Sequence, residues 1–216
     1  MSTTEELALD GPVFISVIIL ILTFPIIDSF HNYSQMRKII LGVAVSLDSF
    51  IEGPNGEYDW CLMDQDYGMS DFMKRIDTLF MGRKTYEMSL AIGGHPAGFP
   101  KFNEYVFSTT LDSVKKDATL IKGDVSKEVE KIKNEAGKDI WLFGGASLTA
   151  SLMNLGLVDE MWLAIHPILL GAGKPLFSNL QERINLKLLD TKTYNTGLVS
   201  TFYQIVHSPG SLSPSR

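Results

Sequence analysis

"DIWLFGGASLTASL", residues 139–152, decides the fold of this chain. The apolar run Ile140-Trp141-Leu142-Phe143 reads as a strand. It stops at Gly144-Gly145, and Ala146 to Leu152 reads as a helix that follows at once. A strand that turns this sharply into a helix leaves backbone N–H groups pointing at open space. Those groups, with the helix dipole, make an anion site. Glycine at the switch lets a phosphate approach the backbone and permits unusual dihedrals.

Two more strand ends carry related chemistry. "DTLFMG", 77–82, reads as a strand, and "RKTYEMSL" opens a helix directly after Gly82. That places Arg83, Lys84 and Thr85 on a first helical turn. "EYVFSTT", 104–110, reads as a strand ending in three hydroxyls, Ser108-Thr109-Thr110. In open α/β sheets, ligands bind beyond the carboxyl ends of the strands. Taken singly, each feature also fits a tight turn, a solvated helix start or ordinary turn chemistry. Taken together they suggest a nucleotide with several phosphates. Neither the Walker loop nor the dinucleotide Gly-x-Gly-x-x-Gly fingerprint is present.

The remaining segments fit the same architecture. "RKIILGVAVS", 37–46, reads as a buried strand, and 66–76 has helical spacing of Tyr67, Met69, Phe72, Met73 and Ile76. Residues 91–103 read as a loop, and "ATLIKG", 118–123, as a short strand. "DVSKEVEKIKNEAG", 124–137, is an amphipathic helix with Asp124 as N-cap and Gly137 as its stop. A strand running into a glycine loop over 159–171 and an alternating pair at 184–206 close the domain. Strands alternating with helices predict an α/β fold with a mostly parallel sheet covered on both faces, and a C-terminal antiparallel hairpin.

Composition narrows the function. Of 216 residues, 45% are hydrophobic, enough for a sizeable core, and the net charge is −6. With no basic stripe, nucleic-acid binding is disfavoured. The single cysteine, Cys61, excludes an intrachain disulfide and a multi-cysteine metal site, and no metal is expected. A reducing cytoplasm fits.

Residues 1–35 differ from the rest. They hold Glu5, Glu6, Asp10 and Asp28 and no lysine or arginine. Within them, 12–27 is apolar but shorter than the ~20 residues of a spanning helix. Three readings stand: an extension outside the domain, translated from upstream of a start at Met36; a membrane anchor; or a helix packed on the domain. The expected organisation is 1–35 as an extension, 36–207 as the domain and 208–216 as a solvated tail.

From Met36 to about Val206 the chain resembles the dihydrofolate reductase-like superfamily. It is most similar to small single-domain proteins akin to the reductase half of the bifunctional riboflavin-biosynthesis protein. The stretches that carry this are "VAVSLDSFI", "DTLFMGRKTYE", "YVFSTT", "IWLFGGASLTASLMNLGLVDEMWLAIHPILLGAGKPLF" and the closing hairpin. The resemblance implies a three-layer sandwich that binds NADPH, with a small-molecule substrate and a homodimer. Gly82, Arg83, Lys84 and Thr85 would then meet the phosphates, including the 2′-phosphate. Ser108 and Thr109 would help the adenosine end, and Gly144, Gly145, Ala146, Ser147 and Leu148 would hold the pyrophosphate. Ala44, on the first strand, joins the cofactor set. In the family the two glycines are typically joined by a cis peptide.

On the substrate side, Asp48 is the candidate catalytic residue, and Asp48 and Trp60 the candidate substrate contacts. A carboxylate relays a proton near neutral pH if burial raises its pKa. Asp48 also fits a turn cap, and Trp60 either stacks on a flat ring or belongs to the core. Asp66 reads as a helix cap, Asp71 as solvated, and His166, before Pro167, as structural. Residues 46–60 carry Asp48, Glu52, Glu57 and Asp59 without a base, which disfavours a phosphorylated substrate. The expected activity is hydride transfer from NADPH to a small pterin- or pyrimidine-like heterocycle. The alternatives are a nucleotide-binding protein without turnover and an interaction module tethered to a membrane through 12–27.

Overall fold

The computed structural model of the chain describes residues 36–94 and 99–207. The extension 1–35 with its apolar stretch 12–27, the tail 208–216 and residues 95–98 of the loop lie outside the described residues.

Among the described residues, ten strands and four helices follow one another. The strands are β1 (Ile39–Ser46), β2 (Phe50–Glu52), β3 (Ile76–Gly82), β4 (Asn103–Phe107), β5 (Ala118–Ile121), β6 (Asp139–Gly144), β7 (Glu160–His166), β8 (Lys174–Pro175), β9 (Asn185–Thr193) and β10 (Val199–Val206). The helices are α1 (Met69–Arg75), α2 (Arg83–Ala91), α3 (Val125–Lys133) and α4 (Ala146–Asn154). Eight strands form one sheet in the order β5-β4-β3-β6-β1-β7-β10-β9. From β5 to β7 all pairings are parallel, while β10 runs antiparallel to both β7 and β9. The mixed sheet with an antiparallel C-terminal pair is thus as the sequence predicts.

Alternation along each strand divides the core into two layers. Ile39, Leu41, Phe80, Ile140 and Leu142 face α3 and α4, meeting Val129, Ile132, Leu148 and Leu152. Ile40, Leu79, Trp141 and Trp162 point the other way, against Phe72 of α1. Met81 and Val106 share that second face with Tyr86 of α2. Central strands covered on both sides need near-continuous apolar sequence, which "RKIILGVAVS" and "DIWLFG" supply.

The amino ends of the strands are cross-linked by charge. Arg37 pairs with Asp77, Lys133 with Asp159 at 2.7 Å, and Arg75 with Asp139 and Glu160 at 2.9 and 3.0 Å. The Asp159 carboxylate also accepts the Ile39 N–H at 2.7 Å.

Several boundaries differ from the sequence reading. β4 stops at Phe107, so Ser108-Thr109-Thr110 follow the strand rather than end it. Ser108 Oγ instead accepts the N–H groups of Thr110 and Leu111, each at 3.1 Å, closing a turn. Asp124 does cap α3, taking the Lys127 N–H at 3.3 Å, but the helix ends at Asn134, before Gly137. The strand that runs into a glycine loop over 159–171 is as the sequence predicts, with β7 ending at His166. The two-stranded sheet of β2 and β8 was not anticipated, since strands of three and two residues leave no periodicity to detect.

Candidate functional site

The carboxyl ends of β4, β3 and β6 lie side by side. Gly82 is in register with Phe107 on one side, and Met81 with Gly144 on the other. This brings "GRKT" and "FGGASL" together, as the strand-end argument requires. A Cβ placed on Gly145 would stand 3.3 Å from Thr85 Oγ1, so the first turn of α2 abuts the second glycine.

Both helices begin without a cap. Gly82 and Gly145 are their N-cap residues, neither helix has a side-chain cap, and neither has an acid in its first turn. Among the described residues the glycine N-caps offer no side-chain acceptor, so the first-turn N–H groups of both helix starts are left to other partners. Gly144 and Gly145 have φ of 122° and 89°, a region that favours glycine. Their peptide bond is trans, because the described residues contain no cis peptide; the resemblance implied otherwise.

The predicted cofactor residues fall into two groups. Ala44, Lys84, Thr85 and Gly145 line a cleft of about 610 Å³ on the α1/α2 face of the sheet. Ala146 and Leu148 are buried, so only their backbone N–H groups are available to a ligand. Ser147 is exposed. Arg83 bonds Glu87 one turn on, at 3.0 and 3.1 Å, which leaves Lys84 as the basic side chain on the cleft wall at this end.

Trp141, Phe143 and Trp162 are among the apolar residues of the cleft wall. Gly42 makes room for Trp141: a Cβ there would stand 2.7 Å from the indole nitrogen, which donates to Gly42 O at 2.8 Å. Glu52 and Lys174 face the cleft from β2 and β8 and pair at 3.3 Å. The base absent from 46–60 is thus supplied from far along the chain.

Asp48 is placed differently from expectation. It is partly exposed and is not among the cleft-lining residues. Its carboxylate accepts Ser46 Oγ–H at 2.6 Å, Gly171 N–H at 2.8 Å and Leu170 N–H at 3.2 Å. The Ser46 bond foremost, with the two backbone bonds, holds its pKa below the ordinary carboxylate value despite some desolvation. The raised pKa that a proton relay needs is therefore not met, and Asp48 ties the β1–β2 turn to the loop after β7. Asp66 accepts from Gly68 N and from Ser70 N and Oγ at the start of α1, and Asp71 pairs with Lys74 in solvent.

Two further residues belong to the site. Cys61 lines the cleft, and burial, aided by Asp59, pushes its thiol up to about 11. His166 also lines it and is only 2% exposed. Its ring meets Trp60 edge to face, with centroids 5.3 Å apart. The signal for His166 in the sequence was its place at a strand's carboxyl end, which the adjoining Pro167 obscured. Among the described residues no group of three or more His, Cys, Asp or Glu side chains could hold a metal ion.

Residues 37–200 match the model of the RibD C-terminal domain. The chain belongs to that family. The uncharacterized Bacillus subtilis protein YyaP is 45% identical over 182 residues, covering 80% of this chain and 97% of its own. A crystal structure of a protein assigned to riboflavin biosynthesis in Shewanella sp. PV-4 superposes with a TM-score of 0.69 at 27% identity. It covers 79% of this chain and 99% of its own. The deaminase/reductase of Thermotoga maritima, at 11% identity and a TM-score of 0.62, shares the fold over 80% of this chain and 57% of its own. The RibD C-terminal family is reductase-like, so the chain is oxidoreductase-like in class.

Proposed function

We propose that this chain is an NADPH-dependent reductase acting on a small pterin- or pyrimidine-like heterocycle. The observation that carries the reading is the pair of uncapped helix starts at Gly82 and Gly145, beside an apolar-walled cleft. First-turn backbone donors and a glycine cradle suit a pyrophosphate. The cleft suits a flat ring system. When bound, the dinucleotide supplies the hydride. The chain's own residues bind and orient: Thr85, Gly145 and the first-turn amides of α4 hold phosphate, and Lys84 with Arg83 meets the 2′-phosphate. Ser108 and Thr109 flank the adenosine end. Ala44 and the cleft aromatics shield the nicotinamide from water.

A second reading, nucleotide binding without turnover, gains support from Asp48, whose carboxylate is engaged outside the cleft. A homodimer, a cytoplasmic location and an extension over 1–35 complete the proposal. Among the described residues no helix is long and apolar enough to cross a membrane. The test is NADPH oxidation, followed by absorbance, over a panel of dihydropterins and aminopyrimidinones. Substrate-dependent oxidation is expected. Tight NADPH binding without oxidation by any member supports the second reading, and no NADPH binding overturns both.

A further inference from the structure

His166 and Trp60 present a polar problem that the fold leaves unsolved. His166 Nδ1 lies 3.0 Å from the carbonyl oxygen of Ala164. A carbonyl only accepts, so in that bond Nδ1 is the donor, and in the neutral ring Nε2 then carries a lone pair. Nε2 is buried and has no hydrogen-bond partner among the described residues. Trp60 Nε1, which only donates, is likewise buried and unpartnered. The two rings touch, 5.3 Å between centroids at 83°. One orphaned acceptor and one orphaned donor therefore sit together, at a residue that lines the cleft. Buried polar groups in folded proteins are nearly always paired, and the exceptions call for an explanation.

We propose that Trp60 and His166 are the specificity-determining pair that reads a neutral cyclic-amide edge on the ligand. Such an edge sets a carbonyl acceptor beside an N–H donor, complementary to the indole N–H and the imidazole Nε2. His166 lines the cleft and Trp60 does not, so the reading requires the Trp60 indole to rotate until both nitrogens face the cleft. Trp60 is half-buried and follows a loop that is exposed from Pro54 to Asp59, so it lies at the edge of the core rather than within it. A site built to hydrogen-bond such an edge rejects an analogue that lacks it, since the buried groups are then left unpaired. The pair deepens the reductase reading and rests on its assignment of the cleft as the substrate site.

The experiment compares isoquinolone with its N-methyl derivative, which keeps shape and carbonyl but loses the N–H. Binding to the full chain is measured by calorimetry, in the presence and absence of NADPH. The parent should prefer isoquinolone by roughly tenfold or more, the scale of one hydrogen bond to a buried group. His166→Phe should abolish that preference, and His166→Gln, which restores an acceptor, should recover part of it. Trp60→Phe should weaken both compounds, since it removes the donor that meets the shared carbonyl. Equal affinity of the parent for the two compounds overturns the proposal, as does an undiminished preference in folded His166→Phe. Should His166→Phe not fold, Trp60→Phe decides: unchanged affinity for both compounds overturns it. NADPH titration of the same proteins keeps the two readings apart. Loss of NADPH binding in the parent sinks the reductase assignment, whereas normal NADPH binding without amide preference sinks this pair alone.

Discussion

Gly145→Val tests the cradle directly. The residue has φ 89° and ψ 126°, so a side chain there is strained, at ~1–3 kcal/mol. At roughly 2–4 °C per kcal/mol for a domain of this size, Tm should fall by about 2–12 °C. The fold should survive, because the apolar faces of β6 and α4 are untouched. Binding should suffer more. The new Cβ would stand 3.3 Å from Thr85 Oγ1, and the two γ-carbons of valine extend beyond it between the first turns of α2 and α4. If two charge-assisted backbone contacts are lost, at ~1.5–3 kcal/mol each, Kd for NADPH rises by roughly a hundred- to ten-thousandfold. Fluorescence titration reads the affinity and a thermal melt reads the fold. Gly123→Val is the control: a Cβ there meets nothing within 4 Å, so both readouts should stay near the parent. A folded Gly145→Val that binds NADPH as the parent does would refute the phosphate reading of residues 139–152.

Arg83→Ala should shrink the preference for NADPH over NADH by roughly tenfold, the effect of ~1.4 kcal/mol from a lost charge-assisted contact. Glu87→Ala should enlarge it by freeing the guanidinium, and parallel titrations with the two dinucleotides that give unchanged ratios would count against both. Asp48 has a folded pKa below its ordinary value, so its bonds stabilise the fold above about pH 4 and are lost as pH falls through the lowered value. Acid melts of Asp48→Asn should accordingly show a shallower loss of stability than the parent, and superimposable curves would exclude the argument. Burial moves the Cys61 pKa from 9.0 to about 11, so iodoacetamide at pH 8 should modify it roughly a hundredfold more slowly than the unfolded chain. Equal rates would show that the thiol is not desolvated in solution.

The central strands and the helices that cover them were legible because each has enough residues to show a period. "RKIILGVAVS" and "DIWLFG" carry apolar side chains for both faces, and the polar stripe of α3 is plain between Asp124 and Lys133. The strand-end cluster was legible too, since glycines mark where backbone geometry is demanding. Partnerships across the sequence were not. The three donors to Asp48 include Leu170 and Gly171, and no local pattern predicts that they reach it or that they lower its pKa. His166 read as structural because a proline follows it, yet its unpaired Nε2 depends on what Trp60 brings from another loop. The Glu52–Lys174 pair likewise joins two strands too short to be read.

The ion pairs at the amino ends of the strands bear on how such a protein changes over time. Arg37–Asp77, Lys133–Asp159 and Arg75 with Asp139 and Glu160 fasten the rim opposite the cleft, far from any ligand. Breaking a buried pair of this kind leaves a charge uncompensated, so that rim tolerates little drift. The loops on the other rim are held more lightly, by the bonds of Asp48 to Ser46, Leu170 and Gly171 and by the Glu52–Lys174 pair. Replacing the residues between β1 and α1 leaves the fastened end intact, and a new ring can be accommodated without a new scaffold. Such a division leaves the cleft rim as the part of the molecule where a change of sequence costs the fold least.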